Sequence, residues 1–512
     1  MLKSPKFLSI EELPLLKRPQ KYKYPKAVVF VLITKLFEAF AANGIRTILA
    51  LFLRDDLSFS ESFSTVLLHI FNFFGQFTPI FGAILADSYI GNVQTISYFC
   101  VIYAVGWYGL FLTSFPSNQL PLLFMVSLSL LLISIGNGSI RACITSLGAK
   151  QFKIPEQNEL LSDYFSHYYF VYYMGIFLSK IVPPMIRAET SCFGKDGCYP
   201  AVFGSLGSIF MMSWIVFLIG KIYYKDERIS DENVILKFFG CIKHALSTKM
   251  KSCGESKDHW IEYAEGKYSH DFIDDVHTVL KITKLFIPLP IYYALLAQQD
   301  SSWTFQASQM ETTILGFRIE PDQAKAMGPV FLFTLIPIWT YIVVPVLRSC
   351  DIEISPLKSM VIGGFVSGVS FICAGILQIQ IDSSPVNTVN ILWQVPQFFL
   401  IMVGELLLSI PGLEFAFKQA PESMKSVLTA AFFINNAFGN LIVVLLTEID
   451  VVKSQTIQYF VYSVLMLLGI LLFIYLVRGY TRRSRFQYED ILDESDNNNA
   501  LSRTSSIGEF VM

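Results

Sequence analysis

The sequence predicts an all-α membrane protein with about twelve transmembrane helices. Its 512 residues are 53% hydrophobic and 16% charged, and the mean hydropathy is +0.50, a balance that soluble domains seldom reach. Apolar runs near the roughly 20 residues needed to cross a bilayer recur along the whole chain. These runs lack the alternation of apolar and polar residues that is typical of a membrane β-barrel, so we expect helices.

The apolar runs define the predicted spans, and the basic residues orient them. The spans cover residues 27–53, 63–86, 94–114, 121–145, 164–186, 201–223, 284–299, 327–347, 357–380, 390–416, 424–447 and 456–478. Lysines crowd the tail before the first span, and arginines follow the last one. Because basic residues concentrate on the cytoplasmic side, both termini are predicted to be cytoplasmic. The loops at residues 114–121 and 382–387, which then face outside, contain no basic residue.

A long polar segment divides the spans into six and six. The predicted units are an N-terminal tail (1–26), a first six-helix bundle (27–223), a linker (224–283), a second bundle (284–478) and a disordered acidic tail (479–512). Two six-span halves joined by a cytoplasmic linker are the layout of the major facilitator fold. The lysine-rich linker is interpreted either as basic helices on the membrane surface or as a plain solvated connection.

The cysteines and the polar residues favour neither a metal site nor an enzyme. The 8 cysteines have no metal-binding spacing, and no nucleophile with a base and no phosphate-binding loop is found. We therefore expect no cofactor and no catalytic residue. Cys192 and Cys198 flank a short polar loop, where a disulfide is possible if the loop faces outside.

Three charged residues lie inside the first predicted span. Burying an ionisable group in a membrane costs a few kcal/mol on insertion scales, so each such group is a candidate functional residue. Lys35, Glu38 and Arg46 fall within an arc of roughly 80° on a helix. This polar face is predicted to line a cavity. An ion pair between Lys35 and Glu38, three residues apart, is the structural alternative.

Further polar candidates lie in other predicted spans. Glu405 is well inside span ten, where a carboxylate needs a partner or a proton. Arg141 is interpreted as a site residue or as a side chain that snorkels to the membrane edge. His69 is interpreted as a core histidine or as a proton relay. Span five carries a group of tyrosines, one face of which is a candidate pocket wall: Tyr168, Tyr169, Tyr172 and Tyr173.

Three stretches resemble the proton-coupled oligopeptide transporters. GAILADSYIG, at residues 82–91, is similar to a signature of that family. The stretches HWIEYAEGKY…KLFIPLPIYYALLAQQDSSWTFQA and GELLLSIPGLEFAFKQAPESMKSVL closely resemble its animal di- and tripeptide transporters. The resemblance covers roughly residues 27–480. Animal members usually carry a large extracellular domain between spans nine and ten, and only residues 382–390 occupy that place here.

The resemblance implies transport by alternating access, with a pocket that clamps the two charged ends of a peptide. It implies that Glu405 contacts the peptide amine and that His69 handles protons. It also places Tyr169 in the pocket and basic groups at Arg46 and Arg141, with Lys281 keeping a basic position before span seven. The implied partners are a small peptide, protons and a lipid bilayer, with no nucleic acid, and the implied state is a monomer in the plasma membrane.

Several residues depart from the family pattern. The family has ExxER in span one, where this chain has Lys35, Glu38 and Ala39. Other family positions are replaced by Ala42, Asn43, Tyr173, Tyr293, Ala297, Gly328 and Thr340. Proton coupling needs groups that titrate and exchange partners between states, so we expect coupling to be altered, weak or absent. Lys35 is predicted to replace the missing Arg as a carboxylate anchor.

The sequence-based prediction is therefore a transporter of di- and tripeptides with a degraded coupling motif. Its predicted substrate-binding residues are Lys35, Arg46, Arg141, Tyr169, Tyr173, Tyr293 and Glu405, and its predicted proton-coupling residues are Glu38 and His69. Two alternatives stay open. One is an uncoupled facilitator of another small zwitterion or anion, and the other is a membrane sensor that does not transport.

Overall fold

The computed structural model contains the predicted set of membrane-spanning helices. It describes residues 24–480 except 117–120, 154–156, 195–196, 226–232, 252–256, 258, 315, 353 and 450–453. The predicted disordered tail at 479–512 lies almost wholly outside these residues. Within the described ranges, eleven helices are long and apolar enough to span a bilayer, and a bent pair of helices makes the twelfth span.

The first half of the chain contributes six spans. Spans one and two end in short π-helical turns, Phe52–Asp56 and Ala86–Ile90. The helices are α1 (Lys26–Leu51), α2 (Glu61–Phe77), α3 (Pro79–Leu85), α4 (Asn92–Thr113), α5 (Leu122–Ala149), α6 (Asn158–Glu189) and α7 (Tyr199–Gly220), with α2 and α3 together forming span two.

The linker folds against the second half of the chain. Its helix α8 (Val234–Lys251) buries Phe238, Cys241 and Ala245, and it packs on a 3₁₀ turn at Trp260–Ala264. The sequence left two interpretations of this linker open, a helix on the membrane surface and a solvated connection. The structure contains the helix, and one of its faces is packed.

The second half contributes the remaining spans. Span seven is the bent pair, with an angle of 49° between His270–Phe286 and Leu289–Ala307. Spans eight to twelve cover Pro321–Ser349, Pro356–Asp382, Ile391–Gln419, Lys425–Thr447 and Gln455–Tyr480. The helices are α9 (His270–Thr283), α10 (Leu289–Ala297), α11 (Ser302–Ala307), α12 (Met327–Ile338), α13 (Val344–Ser349), α14 (Pro356–Asp382), α15 (Val395–Gln419), α16 (Lys425–Thr447) and α17 (Gln455–Tyr480).

Two hydrophobic clusters form the cores of the two halves. One runs from Val28 to Phe217 and also takes in Phe305 of α11, and the other runs from Phe238 to Phe473. The halves meet where α2 packs along α16. A two-stranded antiparallel sheet, β1 (Thr313–Ile314) and β2 (Phe317–Arg318), pairs Thr313 with Arg318 and follows span seven.

The two ends of the helix bundle are distinct. One end, called here the disulfide end, carries a disulfide between Cys192 and Cys198, the pairing that the sequence left open. The other, called the linker end, carries α8 and the turn after span two. At this turn the carboxylate of Asp87 lies 3.3 Å from the ammonium of Lys150.

Small residues bring α3 and α5 into close contact. A Cβ atom added at Gly82 would lie 2.5 Å from the backbone oxygen of Ser139, which is far inside van der Waals contact. We expect Gly82→Ala to destabilise the protein by about 1–3 kcal/mol through overpacking, measured as a lower melting temperature in detergent. Gly479→Ala is the matched control, because nothing lies within 4 Å of its added Cβ. Equal melting temperatures for the two variants would contradict this packing.

Candidate functional site

The charged residues of span one form a buried ion pair with a third partner. The ammonium of Lys35 lies 2.6 Å from one oxygen of Glu38, and both side chains are buried. The other oxygen of Glu38 accepts a hydrogen bond from the amide of Asn137 in span four. The structure therefore contains the ion pair that the sequence offered as the structural alternative.

Aromatic rings complete the environment of Lys35. Its ammonium lies 4.7 Å from the ring centre of Tyr172 and 5.7 Å from that of Tyr168, both in span five. A cation over an aromatic face is stabilised by about 0.5–2 kcal/mol. The carboxylate of Glu38 and these two rings together offset the cost of burying this charge.

Two guanidinium groups lie near each other deeper in the first half. Arg46 donates to the side-chain oxygen of Asn43 at 3.4 Å, and Arg141 donates to the side-chain oxygen of Gln76 at 2.9 Å. The two arginines interact electrostatically. Neither forms an ion pair within 4.0 Å with a described carboxylate, and the Nε atom of Arg46 has no hydrogen-bond partner among the described residues. This pair therefore leaves positive charge available to an anionic group.

Glu405 supplies negative charge from the other half. It lies in α15, and it has no hydrogen-bond or ion-pair partner in the described part of the chain. Its carboxylate interacts electrostatically with the phenols of Tyr173, Tyr292 and Tyr293. The region where span five faces spans eight and ten is called here the cleft. The first half contributes the two arginines to this region, and the second half contributes a carboxylate that is unpaired among the described residues.

The three predicted pocket tyrosines differ in accessibility. Tyr169 is 51% exposed and Tyr173 is 36% exposed, whereas Tyr293 is only 6% exposed. The ring of Tyr173 lies 6.3 Å from that of Phe333 in span eight, across the cleft. Tyr293 packs against Phe432 and the backbone of α16 at Gly439. The structure thus brings Tyr173 against span eight, leaves Tyr169 exposed on span five, and packs most of Tyr293 against α16.

His69 is buried and links the two halves. One ring nitrogen lies 2.8 Å from the side-chain oxygen of Asn440, and the other lies 2.9 Å from the hydroxyl of Ser301. The amide of Asn440 donates to Asn436, so its oxygen faces the imidazole and accepts a hydrogen bond from Nδ1. Because both ring nitrogens are hydrogen-bonded, His69 connects span two to spans seven and eleven, and this geometry fits a structural role.

A second charge cluster, not expected from the sequence, joins the halves around Asp300. The carboxylate of Asp300 lies 3.7 Å from the ammonium groups of both Lys180 and Lys325. Lys325 also donates to the backbone oxygens of Arg46 at 3.3 Å and Thr47 at 3.0 Å. One carboxylate thus connects spans one, five, seven and eight.

Nearer the disulfide end, further polar contacts hold the halves together. Arg187 donates to Glu320 at 2.8 Å and to Asp322 at 3.1 Å. Arg54 donates to the hydroxyl of Ser308 at 2.9 Å. The exposed tyrosines come earlier in α6 than Lys180 and Arg187 and so lie closer to the linker end. The structure is therefore closed between the halves at its disulfide end.

The position of these residues explains why sequence reasoning missed them. The predicted spans end at 186 and 299 and begin again at 327, so Arg187, Asp300 and Lys325 fell just outside them. In the structure these spans extend to Glu189 and Ala307 and begin at Pro321. Lys180 lay inside predicted span five and was the available signal, since an intramembrane lysine implies a buried acidic partner.

The architecture is that of a polytopic membrane protein with the major facilitator fold. A family model described as the POT family matches residues 93–465. The chain belongs to the POT family. This membership confirms the family resemblance, the helical membrane fold and the expectation of a non-enzymatic protein.

Individual relatives agree with the family assignment. Peptide transporter family 1 of Drosophila melanogaster is 24% identical over 92% of this chain and 90% of its own length. Solute carrier family 15 member 2 of Homo sapiens is 32% identical over 73% of this chain and 53% of its own length. A crystal structure of the POT family transporter PepTSo shares the fold, with a TM-score of 0.80, 23% identity and coverage of 90% of this chain and 99% of that chain.

The Asp300 cluster makes a direct prediction about stability. Asp300→Asn leaves two buried ammonium groups without their shared counter-charge, and breaking a buried ion pair in this way costs about 3–5 kcal/mol. We expect a large loss of thermal stability in detergent. Adding Lys325→Met should restore part of it, because one uncompensated charge is then removed.

Asp382→Asn is the matched control for this cycle, because Asp382 bonds to the uncharged side chains of Gln378 and Thr456 near the disulfide end. Additive effects of Asp300→Asn and Lys325→Met would show that the two groups do not interact.

Proposed function

We propose that the chain transports di- and tripeptides by alternating access, with weakened proton coupling. The observation that carries this proposal is the charge separation across the cleft, with Arg46 and Arg141 on one wall and Glu405 on the other. A short peptide is a zwitterion that matches this arrangement. The relatives' names, which describe peptide transporters, support the substrate class.

Each end of the peptide has a complementary group. A peptide carboxylate accepts hydrogen bonds from guanidinium groups in a planar, bidentate geometry, which suits Arg46 and Arg141. The peptide ammonium pairs with Glu405. Tyr169 and Tyr173 supply phenols between the arginines and Glu405. Tyr293 is buried and packs on the Glu405 side of the site. Lys35 remains a predicted second anchor for the carboxylate.

The closed disulfide end supplies the gate of the alternating-access cycle. Rocking of the two halves separates Arg187 from Glu320 and Asp322, and it opens the Asp300 cluster. The predicted bundles at 27–223 and 284–478 are the moving bodies, and 224–283 is their linker. With both termini cytoplasmic, the closed end faces outside. We propose that the protein works as a monomer in the plasma membrane.

The ion pair in span one supports weakened coupling. A coupling carboxylate must change partners between the two states of the transporter. Glu38 carries its partner, Lys35, on its own helix and three residues away. This pair moves as one unit when the halves rock, so it is the same in both states. The same observation favours the second candidate function, an uncoupled facilitator.

The amine site can be tested at Glu405. Replacing it with Gln removes a charge-assisted contact of about 1.5–3 kcal/mol, equal to about 10- to 100-fold in affinity. We expect Glu405→Gln to lower labelled dipeptide uptake by that factor in expressing cells. Glu414→Gln is the matched control on the same helix, because Glu414 is exposed and pairs with Lys418. Normal uptake by Glu405→Gln would refute the assignment.

Coupling can be tested by varying external pH. We expect dipeptide uptake by the natural chain to change little between pH 5.5 and 7.5, values about one unit on either side of the ordinary histidine pKa. Lys35→Ala removes the fixed partner of Glu38, so its uptake should be lower and more acid-dependent. Steep acid stimulation of the natural chain would contradict weakened coupling. Unchanged uptake in Lys35→Ala would rule out an anchoring role for Lys35.

A further inference from the structure

A basic cavity lies at the linker end, away from the transport cleft. It has a volume of about 200 Å³, and the polar residues that line it are His259, His277, Lys281, Thr283 and Lys284. The imidazole centres of the two histidines are 4.0 Å apart. Lys281 and Lys284 have no hydrogen-bond or ion-pair partner in the described ranges. Two cations and two imidazoles therefore face one space, and no described carboxylate lies within 4.0 Å of either ammonium.

The orientation of His259 leaves a donor for a ligand. Its Nδ1 accepts a hydrogen bond from the backbone amide of Ile261 at 3.4 Å, so the proton of the neutral ring is on Nε2. Burial lowers the pKa of His259, and the nearby Lys281, Lys284 and Lys249 lower it further. Three lysines and one carboxylate, Glu262, thus lie near this imidazole, and lysines are the groups that attract an anion.

Carboxylates near the cavity do not cancel this charge. Glu262 interacts electrostatically with His259, and Asp274 does so with His277. Asp274 already lies 3.1 Å from the ring of His270, on the exposed side of α9. The described residues that line the cavity include two lysines and no carboxylate.

Helix α8 indicates which anion reaches this site. Opposite its packed face it presents an exposed apolar stripe, made of Leu236, Phe239, Leu246 and Met250, the last 86% exposed. Lys249 and Lys251 border this stripe, and the exposed Lys243 lies within it. The ammonium of Lys237 lies 5.0 Å from the ring centre of Phe272 in α9. An apolar face bordered by lysines is typical of a helix that lies in the interface of an anionic membrane leaflet.

We propose that the linker end binds the phosphate headgroup of an anionic phospholipid. The stripe of α8 inserts among the acyl chains of the leaflet, and the headgroup enters the cavity between His259, His277, Lys281 and Lys284. Ile287, which is exposed at the cavity wall, provides an apolar surface for the start of the lipid tails. This proposal is independent of the transported substrate.

Native mass spectrometry of the purified full-length chain tests the site. The probes are dioleoyl phosphatidic acid, dioleoyl phosphatidylcholine and inorganic phosphate. We expect preferential retention of phosphatidic acid over phosphatidylcholine. The double variant Lys281→Gln/Lys284→Gln should bind phosphatidic acid at least about tenfold more weakly, with phosphatidylcholine binding unchanged. Lys221→Gln/Lys358→Gln, an equal loss of charge at the linker end outside the cavity, should bind like the natural chain.

A second variant distinguishes between a lipid and a free anion as the ligand of this site. Phe239→Ser/Leu246→Ser removes apolar surface that is already exposed, so folding is preserved, and it should weaken phosphatidic acid binding. If this variant has no effect and inorganic phosphate displaces the lipid, the ligand is a soluble anion and the lipid proposal is wrong. Unchanged phosphatidic acid binding in Lys281→Gln/Lys284→Gln overturns the site itself. Dipeptide uptake by these variants reports separately on the transport function.

Discussion

The observed conformation depends on the ion pairs that the carboxylate of Asp300 forms with the ammonium groups of Lys180 and Lys325. A charge at the centre of a membrane helix costs about 2.5–3.5 kcal/mol on insertion scales, so neither lysine is tolerated there without a counter-charge. Asp300 lies in span seven, while its partners lie in spans five and eight. Because Lys180 belongs to the first half and Asp300 to the second, their ion pair forms only when the two halves are close together at this point.

The same requirement explains the contrast between the two ends of the cleft. Toward the disulfide end, Arg187 bonds to Glu320 and Asp322 across the halves. Toward the linker end, Glu405 lies opposite the arginines of the first half and keeps its carboxylate unpaired among the described residues. A transporter needs this asymmetry, because a site with fully paired charges has nothing left with which to bind a charged substrate.

The sequence predicted the span number and the identity of the polar face of span one, because hydropathy and charge are local properties. It also predicted the Lys35–Glu38 pair as an alternative, since both residues lie on one helix. It missed the Asp300 cluster, because predicted span seven stopped just before Asp300 and predicted span eight began just after Lys325. It placed Tyr293 in the cleft, whereas packing against Gly439 leaves that side chain buried. Contacts between halves depend on tertiary packing, which one sequence does not encode locally.

The environment of a buried carboxylate can change with the conformation of the protein only if its counter-charge lies on another span. Glu38 has its partner 2.6 Å away on the same helix, so the proposed rocking of the halves would not separate them. Asp300 has Lys180 in the other half and Lys325 in its own half, so a separation of the halves would break the pair with Lys180. Loss of the usual pattern in span one therefore does not remove conformation-dependent electrostatics from this protein. In the proposed cycle that property lies at the boundary between the halves, where opening would separate the carboxylate of Asp300 from Lys180.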